Sequence, residues 1–231
     1  VSFMTGALKL SLGSTSIQWG ETTSGYLDAR GVLAFDMAEG VAVFNFNERS
    51  VKCGPYRATY NPIDLSPTLV GKWLAFGDLM SFDFHRGVIK MGTNTIKIPW
   101  EATLDIAEDG VDVKVNDAGR GSSRRLRVTK QTNNVIISAG GSQLVLPLRT
   151  RVVFDKQGHM AFELNHQLVL AQLALSRVHL GGIAVQFEKG STLRIVRGMI
   201  SFAEGVLLDG ARRLLRYRQS RIALPPQATL S

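Results

Sequence analysis

Of the 231 residues only one is cysteine, Cys53, and only four are histidine. A single thiol cannot form an intrachain disulfide or a multi-cysteine zinc site, and reads first as a small buried hydrophobe. His85, His159, His166 and His179 stand in no His-Glu-x-x-His spacing. Long apolar runs are also missing. The most apolar stretch, Leu168 to Leu175, carries Gln172 and is far short of the roughly 18 to 20 residues that a membrane-spanning helix requires. There is no G-x-x-x-x-G-K and no G-x-G-x-x-G. The Gly140-Gly141-Ser142 turn lacks the glycine two places on that a nucleophile elbow needs. The chain opens on Val1 with no signal-like segment, a start compatible with a trimmed chain, a matured protein or a product of a precursor. No enzyme, cofactor, metal site or small-molecule substrate is expected.

The net charge of +8 is unevenly divided. Residues 1–110 hold 9 basic against 12 acidic side chains, a net of −3, and residues 111–231 hold 18 against 7, a net of +11. A basic half attracts phosphate, anionic lipid or acidic protein, including the acidic half of a second copy.

What recurs is a glycine followed by a short β-prone run. It begins at Gly31, Gly40, Gly87, Gly110, Gly182, Gly198 and Gly205. Glycine suits tight turns, and the β-branched and aromatic residues behind it suit a pleated surface. The intervals are irregular, which predicts a meander or sandwich and not a solenoid of fixed period. Leu8, Leu10 and Leu12 alternate with Lys9 and Ser11, and Asp109-Gly110 predicts a hairpin between 96–106 and 111–115.

Two helices are expected to interrupt the strands. Ser66-Pro67 offers a cap and a first-turn proline before the run from Thr68 to Phe76. Asp209 to Ile222 is capped by Asp209 and stopped by Pro225-Pro226. On a helical wheel Leu207, Leu208, Ala211, Leu214, Leu215 and Ile222 share one arc, with Arg212, Arg213 and Arg216 opposite. Residues 165–176 fit helix or strand equally. The expected fold is therefore mainly β, an antiparallel sandwich or distorted barrel with two or three short helices, with α+β as the alternative. It forms one domain over 1–231, and any division into two lobes falls at the 116–123 segment.

Candidate contact residues lie in the basic half. If residues 124–130 are extended, Arg125 and Arg127 project to one face while Leu126 and Val128 point inward. With Arg120, Arg124 and Lys130 they could hold phosphate, or serve as a charged edge that resists aggregation. The helix arginines Arg212, Arg213 and Arg216 form a second surface, suited to an acidic partner or an anionic membrane. Asp83 and His85 read as a solvent-facing polar row alternating with buried Phe82 and Phe84. Glu101, Asp105, Glu108, Asp109 and Asp112 read as the solvated face of a hairpin.

These features predict a non-enzymatic assembly protein, a self-associating subunit of a larger complex such as a virion shell or a cell-envelope machine. In that reading its basic half touches an acidic partner or nucleic acid. The alternatives are a nucleic-acid-binding protein using Arg120 to Lys130, and an envelope or membrane-surface protein holding lipid in a β-sheet groove.

Overall fold

The computed structural model describes residues 2–4, 7–12, 15–20, 25–37, 40–61, 67–70, 73–116, 123–202 and 205–231. Each of the seven glycine-led runs leads into a strand. Strands are laid down in blocks that alternate between two sheets.

Sheet I receives β1 (Ser2–Met4), β2 (Ala7–Leu12) and β3 (Thr15–Gly20). Sheet II then receives β4 (Gly25–Leu27), β5 (Val32–Met37), β6 (Gly40–Asn45), β7 (Ser50–Cys53) and β8 (Tyr56–Tyr60). The next block returns to sheet I: β9 (Pro67–Val70), β10 (Trp73–Phe76), β11 (Met80–Asp83), β12 (Val88–Met91) and β13 (Asn94–Lys97). Sheet II continues with β14 (Ala102–Ala107), β15 (Gly110–Asn116), β16 (Ser123–Gln131), β17 (Asn134–Ala139) and β18 (Ser142–Pro147). Sheet I takes β19 (Arg151–Phe154), β20 (Met160–Leu164), β21 (Gln167–Gln172), β22 (Arg177–Leu180) and β23 (Ile183–Gln186). The last full block, in sheet II, is β24 (Thr192–Val196), β25 (Met199–Ser201), β26 (Val206–Asp209), β27 (Leu214–Tyr217) and β28 (Ser220–Ala223), and β29 (Thr229–Leu230) closes on sheet I.

Within a block every neighbour is antiparallel. Blocks in the same sheet join by parallel pairs: β3 with β9, β8 with β14, β13 with β19, β18 with β24 and β23 with β29. The result is a 14-stranded sheet I and a 15-stranded sheet II. The repeat is one of strand number and not of residue number, which is why no fixed sequence period announces it. β15 and β16, on either side of the 116–123 segment, pair from Gly110↔Thr129 to Asn116↔Ser123, so sheet II runs through that point. Residues 117–122 themselves lie outside the described residues.

The core lies between the inner faces. Alternation sends Val111, Val113, Val115, Leu126 and Val128 inward, all within 1% of complete burial. Aromatic rings meet across the gap edge to face: Trp19 of sheet I on Phe35 of sheet II at 4.9 Å, and Phe82 on Tyr56 at 5.4 Å.

Both expected helices are hairpins, and among the described residues there is no α-helix. In β9–β10, Leu69 faces Leu74 and Val70 faces Trp73. A tight hairpin thus brings together near neighbours in sequence, with an apolar pattern that imitates a helical stripe. Ser66 lies outside the described residues. In the second case Asp209 caps a turn instead of a helix: its Oδ1 accepts the N–H of Arg212 at 3.1 Å, and β26, β27 and β28 fold as a meander. Leu208, Leu215 and Ile222 are opposite one another across those strands. Their seven-residue spacing fits two helical turns and a strand-turn-strand step equally well. Residues 165–176 resolve as β21 followed by a single 3-10 turn at Leu173–Leu175, which removes the α+β alternative.

Candidate functional site

The basic ribbon does not converge. Arg125 and Arg127 lie on the outer face and Leu126 and Val128 are buried, as alternation requires. Arg127 is held by two carboxylates, Asp109 Oδ1 at 2.6 Å and Asp112 Oδ2 at 2.7 Å. The hydrogen bond from Arg127 in turn keeps the Asp109 carboxyl below its ordinary range. Lys130 turns the other way and donates to the Asp78 carbonyl of sheet I at 2.7 Å. Arg124 shares the inward parity of Leu126 and packs by Gly158 in the β19–β20 turn. Arg120 lies outside the described residues. Of the described members of this set Arg125 alone is an exposed outer-face cation, in a row with Lys114, Thr103, Arg57 and Lys52.

Arg212 and Arg213 occupy the β26–β27 turn, and Arg216 sits on the outer face of β27 opposite Arg221 of β28. They therefore belong to one end of sheet II, and not to a helix face.

That end is open. The inner row runs Ile195, Ile200, Leu208, Leu215, Ile222 across β24 to β28. Ile200 and Leu208 are buried, Leu215 is half-buried, and Ile222 on the edge strand is 54% exposed. The opposite end of sheet II mirrors this: Val51, Phe44 and Leu33 are buried, but Leu27 on edge strand β4 is 40% exposed. Charge differs between the two ends. In sequence, residues 206–231 hold five arginines against one acidic side chain, whereas 21–48 hold five acidic side chains against one arginine, Glu21 and Glu39 among them lying outside the described residues.

A second feature lies on the outer face of sheet I. β10 to β13 and β19 present Trp73, Val88, Lys90, Thr95, Lys97, Arg151 and Val153 around a groove of about 460 Å³. A contiguous hollow of about 610 Å³ extends it past His85, Pro99 and Trp100, and Arg86, Val88, Lys97 and Val153 line both. The Lys90 ammonium rests 3.9 Å from the centre of the Trp73 ring, a cation–π contact that fixes one wall. Beneath lies Asp83. It is fully buried and so corrects the expectation of a solvent-facing row: its Oδ1 accepts the N–H groups of His85 at 3.1 Å and Arg86 at 3.0 Å, folding the turn after β11. Phe82 and Phe84 are buried as expected. Burial, and then the charge of Asp83, raise the Tyr56 phenol above its ordinary range. The turn's Gly87 has φ +62°, and a Cβ there would strike the Tyr56 hydroxyl.

None of these groove cations is conspicuous in the sequence. Arg86, Lys90 and Lys97 fall within twelve residues, but Arg151 joins them only through the parallel β13–β19 pair, where Thr95 faces Arg151. Lys90 does carry one local signal, as a charged outward position in the otherwise apolar strand Val88–Met91. Among the described residues no three His, Cys, Asp or Glu side chains gather as a metal site would require. Compared with models of protein families, with curated proteins and with solved structures, the chain matches none.

Proposed function

We propose that this chain is a non-catalytic structural subunit that extends end to end, the β28 edge of one copy adding to the β4 edge of the next. The observation that carries this reading is the coincidence, at the two ends of sheet II, of three complementary features. Each end has an unpaired strand edge among the described residues, each lets its inner apolar row run into solvent, and the ends carry opposite charge.

An open edge offers a row of N–H and C=O groups to any strand that meets it. Joining β28 to β4 continues the inner row from Ile222 to Leu27, and removes both from water. It also repeats a junction the chain already uses twice in sheet II, where the last strand of one block pairs in parallel with the first strand of the next. Opposite charge selects head-to-tail over like-end contact. Such a head-to-tail arrangement propagates from copy to copy, into a ring where the rotation closes and a filament where it does not, either of which can serve as a component of a larger shell or envelope machine.

Single cysteines test the geometry. With Cys53→Ser as background, Arg221→Cys on β28 and Tyr26→Cys on β4, which share the outer face and stand opposite each other when Ile222 meets Leu27, are joined by a short thiol cross-linker. One chain carrying both should give a ladder of multimers, and a mixture of the two single variants should stop at dimers. Dimers from either single variant by itself, or no cross-linking at all, would reject the head-to-tail joint.

A further inference from the structure

The groove on sheet I is left unused by end-to-end growth, since β10 to β13 and β19 lie in the middle of that sheet. We propose that it binds an anionic amphiphile, with a phosphate head held by Arg86, Lys90, Lys97 and Arg151 and an apolar chain laid along the outer face toward β21.

The head site follows from charge. Four cationic side chains surround the groove, and the single carboxylate at its base, Asp83, is buried and accepts backbone N–H groups. Guanidinium and ammonium groups at this density on one concave surface repel one another, and a phosphate between them relieves that repulsion while accepting several charge-assisted hydrogen bonds.

The chain site follows from register. Beyond Lys97 the outward row continues Val153, Ala161, Leu170 across β19, β20 and β21. Val153 is 44% exposed, Leu170 39%, and the neighbouring Leu168 on β21 is 62% exposed. From β13 to β21 is three strand steps, about 14 Å at roughly 4.8 Å each. An apolar strip of that length leading directly out of a cationic hollow has the shape of a head and a tail. A nucleotide strand would instead need the cations to continue along the path, and here they give way to leucine and valine.

The probe is a long-chain lysophosphatidate below its micelle concentration, titrated by calorimetry and by the fluorescence of Trp73 and Trp100, both of which line the groove. Glycerol phosphate, vesicles containing phosphatidate and a single-stranded oligonucleotide are the comparison arms. Saturable binding of the lysophosphatidate is expected, with glycerol phosphate at least tenfold weaker. Lys97→Gln with Arg151→Gln should weaken binding at least tenfold, and Leu170→Ser should weaken the long-chain probe alone. Tighter binding to vesicles than to the monomer would place the head in a bilayer, and still supports the shared chemistry. Equal affinity for glycerol phosphate, a preference for the oligonucleotide, or indifference to all three substitutions would overturn it. Ile222→Arg, placed at the sheet end, should leave this binding unchanged, so the two proposals fail separately.

Discussion

Tyr60 shows how one buried group ties the fold to pH. Its ring packs 5.7 Å from that of Phe76, and burial pushes its phenol up to about 12, with Arg49 opposing weakly. The unfolded chain releases that proton near pH 10 and the folded protein near 12, so folding stability is complete below 10 and declines between the two values. The slope due to this group is about 1.4 kcal/mol per pH unit. Chemical denaturation at pH 9, 10, 11 and 12 should therefore show a steeper alkaline loss in the parent protein than in Tyr60→Phe. Parallel curves would contradict the assignment. At the same scale, the ribbon shows what sequence leaves open. Alternation correctly sends Arg125 and Arg127 outward, but the partners of Arg127 come from the neighbouring hairpin, and only register puts Asp112 opposite it.

Among the elements, strands were far more legible than helices, and the reason is geometric. Val111 to Val115 alternates over a single unbroken face, a period only a strand satisfies. Leu208, Leu215 and Ile222 instead repeat every seven residues, a spacing shared by a heptad and by successive strands of a tight meander. The capping signal at Asp209 was equally ambiguous, because an aspartate closes a β-turn by the same hydrogen bond it makes at a helix N-terminus. The meander's inner row has a gradient of burial, and stability should follow it. Leu208→Ala should cost about 2–5 kcal/mol, the usual range for a buried leucine. Ile222→Ala should change the stability of the isolated chain by no more than about 0.5 kcal/mol, as at exposed positions elsewhere. Urea unfolding of both variants under conditions that keep the chain monomeric checks this; equal losses would mean that the β28 edge is covered within a single chain.

At the scale of the molecule, β-rich architecture was readable from glycine-led runs, whereas the alternation of five-strand blocks between two sheets was not. Block junctions depend on parallel pairs between strands far apart in sequence, such as Leu144 with Leu193, and no local pattern specifies them. The same non-local pairing assembles the groove on sheet I. The charge imbalance was readable as two halves of opposite sign, and part of it falls on the sequence segments that end sheet II. There it coincides with the open inner rows, giving the proposed joint both an attractive force and an apolar surface to bury. Such a joint weakens as salt screens the charged ends, because the Debye length falls from about 30 Å at 0.01 M to about 3 Å at 1 M. Sedimentation velocity of the purified chain at those two ionic strengths tests it most directly. Association that rises with protein concentration at low salt, recedes at high salt and is abolished by Ile222→Arg or Leu27→Arg is the predicted result. A monomer under every condition, or oligomers indifferent to both substitutions, would contradict end-to-end assembly.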